Sequence, residues 1–96
     1  MDTAALSVRD NRAELRYELV RGGEVLGFLL YRIEPDAIVL VHTDVDPAYE
    51  GQGLGSVLVK GALDDLRERD VRAIPLCPFV RAYIRRHPEY TPVSAP

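Results

Sequence analysis

A single cysteine, Cys77, is all that this 96-residue chain has, so an internal disulfide is impossible. A reducing compartment is the natural setting for such a chain, and the cytoplasm is the expected location. Long apolar runs are missing as well. None approaches the roughly 20 residues needed to cross a bilayer, so no membrane partner is expected. The opening stretch MDTAALSVRD is acidic early and has no extended apolar segment, so it is not expected to be a signal peptide. There is no excess of positive charge. The net charge is −3, so a nucleic-acid partner gains no support from global electrostatics. Internal repeats and low-complexity segments are also absent. What remains is ordinary for a globular domain, 47% hydrophobic and 28% charged residues. The length suits one domain spanning 1–96, with a core over about 12–90 and a flexible tail at 91–96.

Periodicity supplies the elements. In AELRYELV, Leu15, Tyr17 and Leu19 alternate with Glu14, Arg16 and Glu18, the pattern of a half-buried strand. RGGE follows as a tight hairpin turn, since Gly22 and Gly23 tolerate positive φ. VLGFLLYRI is apolar on both faces and is expected inside the sheet. After a turn at EPDA, the β-branched segment IVLVHTDV makes a third strand. The period then changes. Leu58, Val59, Ala62, Leu63 and Leu66 recur at helical spacing, while Lys60, Asp64, Asp65, Arg67, Glu68 and Arg69 form a solvated face with pairs such as Asp65–Arg69. VRAIPL reads as a short buried strand. A strand, a helix and another strand imply a right-handed crossover and a parallel pair. PFVRAYIRRH forms a second helix with Pro78 in its first turn, Val80, Tyr83, Ile84 and His87 on one stripe, and Pro88 as its stop. The order is βββαβα: an α+β fold in which an antiparallel three-stranded meander continues into a β-α-β-α unit.

At the junction of these halves, VDPAYEGQGLGSVLVKGALDDL places Gly51, Gly53 and Gly55 where the long helix begins. Each would weaken a helix interior by roughly 1 kcal/mol relative to alanine. A glycine turn opening a helix instead bares backbone N–H groups and the positive end of the helix dipole, a place for an anion such as phosphate. A glycine-rich turn without a ligand is the plainer alternative. A P-loop is excluded because Gly55 is followed by Ser56 and Val57, with the nearest lysine at Lys60. The dinucleotide fingerprint is nearly met by Gly51, Gly53 and Ser56. It lacks the acidic residue on the next strand, where Ala73, Ile74, Pro75 and Leu76 stand, and its parallel βαβ setting.

The same stretch resembles the acyl-coenzyme A loop of the GNAT N-acetyltransferases, Arg/Gln-x-x-Gly-x-Gly/Ala between a strand and a long helix. Gly53 and Gly55 match its two small positions. Downstream, CPFVRAYIRRHPEY is similar to the family's next helix, Asn-Pro-x-Ala-x-x-Leu-Tyr. Together these segments resemble the small, minimal GNAT-like group with a cysteine after its last core strand, over about residues 12–90. The resemblance implies a minimal GNAT-like fold and coenzyme A, as acetyl-coenzyme A, bound along Val45, Glu50, Gly51, Gln52, Gly53, Leu54, Gly55, Ser56 and Cys77. Two positions depart from the pattern. Glu50 occupies the Arg/Gln position, an acid beside an anion site that should weaken affinity. The family's tyrosine position falls on Ile84, with Tyr83 one residue earlier and so rotated by about 100° on the helix. The family's opening helices and closing strand pair are also lacking, which implies an open, shallow acceptor site suited to a peptide or protein.

Acetyl transfer to an amine needs a base, a donor for the carbonyl oxyanion and a proton for the departing thiolate. A backbone N–H near Val45 is expected to serve the oxyanion. His42 and Asp44 share a strand face by alternation and are candidate bases; a hydrogen-bonded sheet histidine and a turn-forming acid are their structural alternatives. Tyr83 is the candidate acid. Cys77, at a helix N-terminus, is either an acetyl-accepting nucleophile or a small residue lining the cofactor channel. Two functions follow: an N-acetyltransferase acting by direct attack on an unknown amine, or a coenzyme A-binding or protein-interaction module without turnover.

Overall fold

The computed structural model describes residues 5–49 and 51–93. Among them, β1 (Ser7–Asn11), β2 (Arg16–Arg21), β3 (Glu24–Glu34), β4 (Ala37–Val45) and β5 (Arg72–Pro75) form one sheet in the order β1-β2-β3-β4-β5. The first four strands are antiparallel, and β5 joins β4 in parallel through the helix α1 (Leu54–Glu68). A second helix, α2 (Pro78–Arg86), follows β5. The α+β order and the parallel crossover are as expected, and the meander carries one strand more at its edge.

That extra strand, β1, has only one apolar residue, Val8, and owes its conformation to pairing with β2. A 3₁₀ turn, Arg12–Glu14, joins the two, with the Asn11 side chain accepting the Glu14 N–H. Leu15, expected inside a strand, is instead the left-handed residue closing this turn (φ 53°) and is exposed. At the other end of the sheet, β5 tolerates Pro75 because it is an edge strand with a single partner.

One hydrophobic core lies between the sheet and both helices. Leu54, Leu58, Val59, Ala62, Leu63 and Leu66 of α1 and Val80, Tyr83 and Ile84 of α2 pack on Tyr17, Leu19, Leu29, Tyr31, Ile38 and Leu40. His87, expected on the α2 stripe, caps the helix and stacks on Tyr83 with centroids 4.1 Å apart. The charged face of α1 forms Lys60–Asp64, Arg67–Asp64 and the expected Asp65–Arg69 pairs. It also anchors the core tyrosines: Tyr17 donates to Asp65 and Tyr90 to Asp64, both at 2.6 Å. The start of the expected tail is docked, since Val93 is buried and its carbonyl accepts the Ala73 N–H. No helix among the described residues is long and apolar enough to cross a membrane.

The opposite sheet face carries Arg16, Glu18, Phe28, Leu30, His42 and Asp44, and neither α1 nor α2 covers it. Glu18, expected on a solvent-facing side, is buried here at 1% exposure. Its two carboxylate oxygens accept from Arg9 at 2.8 Å, Arg16 at 2.7 Å and Asn11 at 3.0 Å. Burial pushes its pKa up, but these hydrogen bonds together outweigh burial and hold it below the usual glutamate range.

Candidate functional site

β4 is the longer member of the parallel pair, and that mismatch opens the site. Only Ala37–Leu40 pairs with β5. The Leu40 carbonyl then accepts both the Leu76 and Cys77 N–H groups, each at 3.0 Å, and the chain turns away into α2. Residues 41–45 of β4 run on without a β5 partner. The two strands therefore splay beyond Leu40, leaving the β4 edge over residues 41–45 without a β5 neighbour.

A β-bulge decides which side chains face which way along the unpaired stretch. Leu30 pairs with His42 while Tyr31 pairs with Leu40, so Val41 is the extra residue. A bulge of one residue shifts the alternation. Core-facing Ile38 and Leu40 are followed on the helix side by Thr43 and Val45, while His42 and Asp44 are exposed on the other face. The expected sharing of a face by His42 and Asp44 is present, on the side away from the helices.

The loop after β4 is shaped locally. Asp46 accepts the Ala48 N–H with its side chain at 2.9 Å and the Tyr49 N–H with its carbonyl at 2.8 Å, making a single 3₁₀ turn, Pro47–Tyr49. Gly51 (φ 81°) and Gly53 (φ 73°) then adopt left-handed conformations that a side chain would strain. Gly53 is the N-cap of α1 and offers no side-chain hydrogen bond to the helix start. The first-turn N–H groups lack an intrahelical partner by construction, and they open onto the loop. Glu50 lies outside the described residues.

A cleft of about 250 Å³ is lined by Val45, Tyr49, Gly51, Gly53, Leu54, Gly55, Ser56 and Phe79. The structure thus brings together most of the residues expected at the cofactor loop. Gln52, which is exposed, and Cys77, which is buried, are not among the lining residues. Tyr49 and Phe79 were not foreseen. A larger cleft, about 390 Å³, lies elsewhere against Asp10, Arg12, Tyr31 and Arg69; it contains none of the glycine-loop residues.

Cys77 is the N-cap of α2 and is buried, with its sulfur 3.4 Å from the Thr43 hydroxyl at the root of the splay. Burial pushes the thiol pKa up. Hydrogen bonds from Thr43 and from the backbone of Val80 and Phe79 together outweigh it, so the thiol lies below its ordinary value. Tyr83, six residues on, sits about 9 Å further along the helix. It is buried in the core against His87, with its pKa raised mainly by burial, and does not line the cleft.

The arrangement offers N–H donors at a helix start, an apolar wall beside them and an unpaired strand edge that runs back towards Cys77. Anion binding at one end and reaction at the other is what such a path can support.

Known proteins are similar to this chain in sequence and in fold. Residues 16–93 match the family described as GCN5-related N-acetyl-transferase. Protein NATD1 of Homo sapiens is 39% identical over 61 residues, covering 62% of this chain and 54% of that protein. The [ribosomal protein bS18]-alanine N-acetyltransferase of Escherichia coli strain K12 is 32% identical over 60 residues, covering 62% of this chain and 40% of that one. The chain spans about half the length of the curated relatives it matches. In fold, it superposes on the solution structure of a GCN5-like protein from Staphylococcus aureus with a TM-score of 0.69 and 24% identity, covering 94% of this chain and 88% of that one. The ribosomal-protein-alanine N-acetyltransferase of Brucella melitensis gives a TM-score of 0.56 at 19% identity, covering 84% and 63%.

Proposed function

This chain belongs to the GCN5-related N-acetyltransferase family, and from that premise we propose that it transfers the acetyl group of acetyl-coenzyme A directly to an amine of a peptide or protein. The observation that carries this reading is the uncapped start of α1 at Gly53, opening onto a cleft that is also lined by Val45 on the unpaired β4 edge. The first-turn N–H groups hold the pyrophosphate, and the β4 edge from Val45 inward aligns the pantetheine arm. A backbone N–H near Val45 donates to the carbonyl oxygen as the amine nitrogen attacks the thioester carbon. The carbon–sulfur bond breaks, the amine loses a proton and the departing thiolate gains one.

In this reading the acceptor approaches the unpaired β4 edge from the helix-free side, and His42 or Asp44, both exposed there, takes that proton. The transfer does not call on Tyr83. Among the described residues neither α1 nor α2 covers that face, which supports a large acceptor, peptide or protein, over a small metabolite. The proposed setting is the cytoplasm, where a lone thiol stays reduced.

Labelled acetyl-coenzyme A incubated with a peptide library tests the reading: label should move to peptide amines. In parallel, coenzyme A at about a hundred times its Kd should stabilise the fold by about 2.7 kcal/mol, read as a rise in melting temperature. Stabilisation without any label transfer would favour the second reading, a coenzyme A-binding module without turnover. One observation leans that way: neither candidate base lies on the cleft side of β4.

Cys77 separates direct transfer from a covalent route. In direct transfer the thiol only fills the root of the splay, so Cys77→Ala should keep most of the turnover and Cys77→Ser should be nearly silent. An acetyl adduct seen by intact mass, and lost together with turnover in Cys77→Ala, would replace direct attack with an acetyl-enzyme.

A further inference from the structure

Phe79 is a large apolar side chain left 41% exposed, yet it is not loose on the surface. Its ring presses on the first turn of α1, where a Cβ added to Gly55 would meet Cζ at 2.8 Å. It lines the same cleft as Val45, Tyr49 and Leu54 and the glycine turn that opens α1. The cleft therefore has one donor-rich side and one apolar side. Phe79 is also only two residues beyond Cys77, which marks the root of the splay. The ring thus touches the α1 start from a position two residues along α2 from Cys77.

We infer that Phe79 is a specificity-determining residue whose ring covers the dimethyl-bearing pantoyl segment of coenzyme A. This rests on the function proposed above and adds to it. The chemistry of the ligand sets which part meets the ring. In coenzyme A the pantoyl group, with its two methyls, follows the pyrophosphate directly on the side toward the sulfur. Adenosine lies on the other side. With pyrophosphate at the α1 start and sulfur at the splay, the segment passing Phe79 is the pantoyl one. Apolar contact there lets the site discriminate coenzyme A from nucleotides that share its phosphates. It also explains why position 55 must stay small, since a larger residue would displace the ring.

Calorimetric titration of the full chain with two probes tests this: coenzyme A, and adenosine 3′-phosphate 5′-diphosphate, which has the pyrophosphate but no pantoyl group. Phe79→Ala should weaken coenzyme A about tenfold by exposing the pantoyl methyls to water. The same variant should leave the adenosine diphosphate probe within about twofold, and Phe79→Leu should recover most of the lost affinity. Equal loss for both probes would assign the ring to adenine and overturn the inference. So would unchanged coenzyme A affinity in Phe79→Ala while the parent chain binds it. Failure of the parent chain to bind coenzyme A at all would instead overturn the proposed function, and this inference with it.

Discussion

Gly53→Val is expected to bind coenzyme A at least about a hundredfold more weakly, because two or more charge-assisted N–H contacts worth about 1.5–3 kcal/mol each would be misaligned. Gly53 is the α1 N-cap at φ 73°, a region that a β-branched residue adopts only at a cost of about 1–3 kcal/mol. Relief of that strain turns the loop and re-aims the N–H groups after it. Space is not the issue, since a Cβ at this position would meet nothing within 4 Å. The core should therefore survive, and far-ultraviolet circular dichroism of the variant should match that of the parent. Gly53→Asn, which accepts left-handed φ more readily, should lose less. Titration calorimetry reads the outcome. Unchanged affinity in Gly53→Val would remove the α1 start from the binding site.

Glu18→Ala should lower stability by about 2–3 kcal/mol, less than the 3–5 kcal/mol typical of breaking a fully buried pair, because the arginines can rehydrate. Arg9 is 57% exposed and Arg16 28%, while Glu18 is at 1%. For a domain of this length that corresponds to roughly 10–20 °C in melting temperature. The same carboxylate makes stability pH-dependent. Its folded-state pKa is depressed, so the contribution is complete above the ordinary glutamate range and is lost as pH falls through the folded value. Urea melts from neutral pH down to acid should show this decline in the parent chain and a flatter profile in Glu18→Ala. A parent profile as flat as the variant's would show that the Arg9–Glu18–Arg16–Asn11 cluster contributes nothing. The cluster sits on the same helix-free face as His42 and Asp44, with β3 between them.

Much of the fold was legible because it rests on local periodicity and local chemistry. The α1 stripe from Leu58 to Leu66 appears buried as its spacing requires, and Pro78 starts α2 where its fixed φ and missing donor are harmless. The glycine turn could be read for the same reason: positive φ at Gly51 and Gly53 is a property of the residue type. Four features escaped. β1 has weak strand formers and exists because β2 offers an unpaired edge. Glu18 alternates like a solvent-facing acid, yet Arg9 and Asn11 arrive from another strand to bury it. Phe79 reads only as a first-turn residue of α2 until α1 is brought beside it.

The fourth is the bulge at Val41, where local and global information part most sharply. IVLVHTDV says strand, and its alternation correctly puts His42 and Asp44 together. Which face they occupy depends on one residue of slippage against β3, and pairing registers are set by the partner strand and the packing on both faces. Residue identity thus determined the element types, the helix start with its bare N–H groups and the kinship those glycines signal. Three-dimensional packing decided that Thr43, and not His42, meets Cys77, because a sheet face is a relation between strands that no single strand encodes.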